Sequence, residues 1–178
     1  MKFTFEPKVG GVEARRVGRR AFGMSVLAAW MAPPTASFAM EAKPHAASKV
    51  VGTFDTHTWA QLLSHGTRPA AYVFTTTYCS TCPEVFELLH TTIVAAHKTV
   101  ELAAVVMDES GERALKHVHH YQGVTRIYAF DGFEPEIRQT VDPTWHNITP
   151  YVVLVGRKGS LQRSLGPPSA VVLKAWLV

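Results

Sequence analysis

Cys79 and Cys82 are the only cysteines of this 178-residue chain, and they stand where an extended run gives way to a helical one. Ahead of them, Ala70-Ala71-Tyr72-Val73-Phe74-Thr75-Thr76-Thr77 is rich in β-branched and aromatic residues and predicts a strand over 70–77. Behind them, from Pro83, the residues Val85, Phe86, Leu88, Leu89, Ile93 and Val94 recur at helical spacing. A proline is tolerated in a first helical turn because no N–H partner is lost there. A strand that hands a CxxC pair to a helix start sets a thiol beside unpaired N–H groups and the positive end of the helix dipole, which favours a thiolate. With no third cysteine the pair cannot belong to a larger disulfide framework. A permanently closed bridge over so short a loop would remove little chain entropy, so the pair reads as one that opens and closes. A zinc site wants four ligands, and no second CxxC and no HxxxH is present.

The rest of the chain alternates between the same two periods. Val50–Phe54 is a short apolar run, and Asp55 or Thr56 caps a helix carrying Trp59, Leu62 and Leu63. The run 100–107 is apolar nearly throughout, as a strand covered on both faces should be. A helix is expected over 112–121, a strand over 125–130 and a helix over 134–141. A loop over 142–149, strands over 151–155 and 160–165 and a helix over 169–177 complete the chain. Together these predict an α/β three-layer sandwich with a mixed central sheet. Trp59, Phe74, Phe86 and Trp176 fall on periodic apolar positions and read as core. His117, His119 and His120 read as a solvated helix end, and His90 and His97 as an exposed helix face.

The net charge of +4 argues for less than it first suggests. It is carried entirely by residues 1–39, where Lys2, Lys8, Arg15, Arg16, Arg19 and Arg20 face Glu6 and Glu13; from residue 40 onward acids and bases balance. A neutral body offers no electrostatic footprint for a polyanion, so nucleic acid is not an expected partner. Residues 1–39 have the parts of an export signal: a basic start, a short apolar core Phe22–Met31, and small residues ending at Ala39. The apolar core stops at Pro33-Pro34, short of the roughly 20 residues a spanning helix needs. Arg19-Arg20-Ala21-Phe22 resembles a twin-arginine address. Export to the periplasm is expected, with membrane anchoring if the signal stays uncleaved. Residues 40–49 read as a flexible leader and 50–178 as the folded domain.

Over residues 50–178 the chain resembles the thioredoxin superfamily, in particular its exported TlpA-like branch. The strand–Cys79-Ser80-Thr81-Cys82–helix unit carries the first part of that resemblance. The second is Trp145-His146-Asn147-Ile148-Thr149-Pro150 leading into Tyr151-Val152-Val153-Leu154-Val155, similar to the family's Trp-x-Gly-x-x-Pro before its penultimate strand, whose proline is cis. The third is the hairpin-and-helix ending around Gly159 and Gly166. The additional strand and helix between 125 and 141 resemble the TlpA-like insertion before the cis-proline strand. Tyr78 stands where the family usually has tryptophan, Ser80 and Thr81 replace its proline or glycine, and Val73 replaces the buried acid of many thioredoxins. Asn147 replaces the usual glycine, a mild change because asparagine tolerates left-handed geometry.

The resemblance implies a thiol:disulfide oxidoreductase that needs no cofactor beyond the Cys79–Cys82 disulfide. Cys79 would be the nucleophile and Cys82 the resolving thiol. Tyr78, Trp145, Thr149 and Pro150 would form the substrate-binding surface, with Glu84 a candidate proton acceptor for Cys82. Disulfide-containing exported proteins would be the substrates, and a membrane thiol-reductant donor would keep the pair reduced. A secondary similarity to Sco-type copper chaperones gives an alternative, in which Cys79, Cys82 and His146 hold copper as a soft three-coordinate set.

Overall fold

The computed structural model describes residues 50–178. The export signal and leader read from residues 1–49 lie outside the described residues.

The elements follow the two sequence periods closely. They are β1 (Val51–Phe54), α1 (Thr58–His65), β2 (Ala70–Thr75), α2 (Cys82–Ala95), β3 (Glu101–Val106), a 3₁₀ segment (Gly111–His120), β4 (Arg126–Phe130), α3 (Glu134–Val141), β5 (Tyr151–Val155), β6 (Leu161–Leu165) and α4 (Ala170–Trp176). The six strands form one sheet in the order β1-β4-β3-β2-β5-β6. The first four run parallel, while β5 runs antiparallel to β2 and β6 antiparallel to β5. The extra strand β4 is therefore inserted inside the sheet, between β1 and β3.

Strand alternation divides the core into two layers. Ala71 and Val73 of β2 point to one face, where they meet Val85, Phe86 and Leu89 of α2 and Leu173 and Trp176 of α4. Tyr72 and Phe74 point to the other, among Trp59 of α1 and Ile137 and Val141 of α3. Because both faces are covered, every residue of β2 and β5 is buried, which explains their unbroken apolar runs. The expected core residues Trp59, Phe74, Phe86 and Trp176 are each no more than 3% exposed.

Local chemistry sets the boundaries. The Asp55 carboxylate accepts hydrogen bonds from the N–H groups of His57 and Thr58 at 2.9 Å, fixing the start of α1. The expected helix over 112–121 is instead a 3₁₀ segment over 111–120. Its three-residue turn stacks positions 114, 117 and 120 on one face, with Ala114 fully buried. His90 departs from its expected exposure. It is half-buried and lies tightly against Gly123, where an added Cβ would stand only 2.7 Å from the His90 Cβ.

Candidate active site

The turn that carries the cysteines is held by the neighbouring strand. β2 ends at Thr75, and the Thr77 N–H and hydroxyl both donate to the Asp108 carboxylate, the N–H at 3.0 Å to each oxygen and the hydroxyl at 2.6 Å to Oδ2. Asp108 follows β3, so two adjacent strand ends are tied together just before the CxxC. The Cys79 N–H donates to the Thr76 carbonyl at 3.1 Å, closing the turn.

Cys79 and Cys82 are joined in a disulfide, with their Cα atoms 5.5 Å apart. Cys82 is the first residue of α2 and is 1% exposed, whereas Cys79 lies outside the helix and is half-buried. Of the two sulfurs, Cys79 is the one an incoming molecule can reach. Thr81 makes no side-chain cap and Pro83 lacks an N–H, so the positive helix end is left facing the disulfide without a capping oxygen.

Beside the disulfide lies a cleft of about 210 Å³ lined by Thr75 through Ser80, Cys82, Pro83, His117, His120 and Tyr121. Two of its hydroxyls, on Thr76 and Tyr121, are buried without a hydrogen-bond partner in the protein. Burial, aided by the nearby Asp108 charge, pushes the Tyr121 phenol up to about 12. The three histidines that read alike in the sequence are separated here. His117 and His120 line the cleft and His119 does not. The sequence signal for this was their i, i+3 spacing, but nothing local said that the shared face meets the cysteines.

The remaining expected site residues are dispersed around the fold. Tyr78 is 80% exposed next to Cys79. Thr149 is half-buried and Pro150 buried, and the peptide between them is cis. They precede β5, whose Tyr151 pairs with Phe74, so they stand at the cysteine end of the sheet, although neither lines the cleft. Asn147 adopts φ 61°, the left-handed geometry expected of it.

Trp145 is a correction: it is 2% exposed and packs with the α1 and α3 layer, not as a wall beside the disulfide. Its ring stacks on Tyr151 at 4.3 Å, meets Phe74 at 5.1 Å, and donates Nε1–H to the Ile148 carbonyl at 2.9 Å. Trp145 thus holds the loop from inside. Glu84 is exposed in the first turn of α2 and does not line the cleft. His146 lines a separate cleft with Asp142, Thr144, Trp145 and Arg163, and so is not brought to the cysteines as the copper alternative requires. Among the described residues no group of three His, Cys, Asp or Glu side chains is arranged to hold a metal ion.

A mixed sheet covered on both faces, a CxxC entering α2 from a parallel strand, and a cis Thr-Pro ahead of the antiparallel neighbour decide the architecture. The fold is thioredoxin-like. The strand β4 and helix α3 are its insertion, as the sequence predicts. No family model and no curated protein matches the chain. Among solved structures it is similar to a secreted Mycobacterium tuberculosis disulfide oxidoreductase, with 17% identity over 61% of this chain and 79% of that one, at a TM-score of 0.45. A Thermus thermophilus thio-disulfide isomerase gives 21% identity over 65% and 81%, at a TM-score of 0.48. A thioredoxin-related protein from Neisseria meningitidis serogroup B gives 15% over 65% and 87%, at 0.49. Likeness at this level decides nothing about chemistry, which rests on the geometry around Cys79.

Proposed function

We propose that this protein is a TlpA-like thiol:disulfide oxidoreductase that reduces disulfides of exported proteins through Cys79 and Cys82. The observation that carries this is the unequal exposure of the two sulfurs at the start of α2: one reachable, one buried a turn behind it. In the reduced pair, the Cys79 thiolate attacks a substrate disulfide, forming a mixed disulfide and releasing one substrate thiolate. The Cys82 thiolate then attacks the Cys79 sulfur, closing the disulfide and releasing the second. Two electrons pass to the substrate, and no cofactor beyond the cysteine pair is needed.

A protein substrate is supported by the surface around the pair. Tyr78, Phe133, Ile148 and Leu165 are exposed, and each follows, precedes or ends a strand at the same end of the sheet as the cysteines. Together they offer apolar contact to an unfolded segment, and the Thr149 backbone before β5 offers an extended partner. Export of the mature domain is supported by the signal read in residues 1–39, and recharging by a membrane thiol donor follows from an oxidising compartment. Among the described residues no helix is long and apolar enough to cross a membrane.

A Cys82→Ser variant expressed in its native compartment tests the proposal. It should accumulate mixed disulfides through Cys79 that a reductant releases. Cells in which Cys82→Ser traps nothing, while the reduced wild-type protein also fails to reduce a protein disulfide, would overturn it.

A further inference from the structure

Cys82 poses a problem that the exchange reaction must solve. Its thiol has to lose a proton before it can attack the mixed disulfide, yet it is only 1% exposed. The buried acid expected two layers below in many such folds is absent, since Val73 occupies that position and is fully buried among apolar neighbours. Glu84 is exposed and outside the cleft, and Asp108 is engaged by Thr77.

The cleft that opens on Cys82 has two imidazoles in its wall, those of His117 and His120. They are presented together because a 3₁₀ turn repeats every three residues, and their rings lie 6.4 Å apart and nearly parallel. The hydroxyls of Thr76 and Tyr121 line the same cleft, both on residues more than nine-tenths buried and without a protein partner. Orphaned hydroxyls in a polar cleft are the partners an ordered water needs, and a water so held can pass a proton between groups not in direct contact.

We propose that the His117–His120 pair is the proton acceptor for Cys82. The inference rests on the oxidoreductase reading above. In the second step an imidazole takes the Cys82 proton through the hydroxyl-lined cleft, and the Cys82 sulfur bonds to the Cys79 sulfur as the bond from Cys79 to the substrate sulfur breaks. The imidazolium then gives its proton to the departing substrate thiolate, and the neutral imidazole is restored. Imidazole suits this role because it ordinarily exchanges a proton at about pH 6 to 7. The charged and titratable groups around the pair are Glu112, Arg113, Lys116 and His119 on the segment itself, Asp108 and Glu109 ahead of it, Tyr78, Tyr121 and the two cysteines in the cleft, and Glu84, Glu87 and His90 on α2. β1 carries no charged side chain, and Arg126 of β4 stands at the opposite end of the sheet beside Glu101.

Two measurements on His117→Gln, His120→Gln and the double variant test this, with His119→Gln as control. The first is single-turnover oxidation of the reduced protein by oxidised glutathione across the pH range, which requires both cysteines. The second is alkylation of Cys79 by iodoacetamide in a Cys82→Ser background, which requires only the first. The double variant should lose about 100-fold in oxidation rate near neutral pH. Its Cys79 alkylation should stay within about twofold, and His119→Gln should match wild type in both. Because His120 is exposed, its variant keeps the packing intact and still reports a partial loss. An unchanged oxidation profile in the double variant, or an equal fall in alkylation and oxidation, would overturn the assignment. Absence of oxidation in the wild-type protein would instead sink the oxidoreductase reading itself.

Discussion

Trp145 offers the sharpest test of how this site is built, because its two possible roles predict opposite results. As part of a substrate wall its removal would cost exchange and little stability. As core, the cost falls on folding. Trp145 is 2% exposed, and burying an indole removes about 150–250 Å² from water. At about 25 cal/mol per Å² that is about 4–6 kcal/mol before the retained alanine carbon is subtracted. The stacked contact with Tyr151 and the edge contact with Phe74 add to this, as does the Nε1–H bond to Ile148 at about 1 kcal/mol. Measured tryptophan truncations bring the net figure to about 3–5 kcal/mol. Trp145→Ala should therefore lower the urea midpoint by about 2 M at a slope of about 2 kcal/mol/M. Trp145→Phe keeps a ring and forfeits the hydrogen bond, so it should lose about 1–2 kcal/mol. A Trp145→Ala protein within about 1 kcal/mol of wild type whose reduction of protein substrates has collapsed would refute the core assignment.

Two further outcomes follow from single contacts. Gly123 sits at φ 73° where an added Cβ would meet His90, so Gly123→Ala should destabilise by about 2–4 kcal/mol in urea unfolding, and His90→Ala should recover only the share due to the imidazole ring, because its Cβ remains. Asp142 is held below the usual carboxylate range: burial alone would raise it, but hydrogen bonds from the Tyr151 hydroxyl at 2.5 Å and from Thr144 outweigh burial, with Arg163 adding. A folded-state value below the unfolded one stabilises above the ordinary carboxylate range and is lost as pH falls through the lowered value. Asp142→Asn should accordingly flatten the acid limb of a plot of melting temperature against pH, with little change of slope near neutrality.

What could be read from the sequence was whatever a local period or a turn residue encodes. The strand–CxxC–helix junction, the covered strand β3 and the strand β5 follow from neighbours in the chain, and the left-handed Asn147 from the family resemblance. Three things did not follow, each for a physical reason. Glu112-Arg113-Ala114-Leu115-Lys116 supports an α-helix as readily as a 3₁₀ turn, and only packing against the sheet selects the tighter form. Trp145 lies within a loop and carries no periodicity, so its burial against Phe74 and Tyr151 depends on the β2–β5 pairing. His117 and His120 lie more than thirty residues beyond the cysteines, and their segment follows β3, the parallel neighbour of the strand that leads into the CxxC. His146, nearer in pattern to a known ligand position, goes elsewhere.

The central claim is that the Cys79–Cys82 bond opens and closes in the folded protein. Equilibrating the protein in glutathione or dithiothreitol buffers of known potential, and counting free thiols by alkylation while circular dichroism reports the fold, measures this directly. One reversible two-electron transition is expected, at about −120 to −270 mV, with the fold retained in both states. A bond that resists reduction until below about −300 mV, or that opens only as the chain unfolds, would mark a structural disulfide and contradict it.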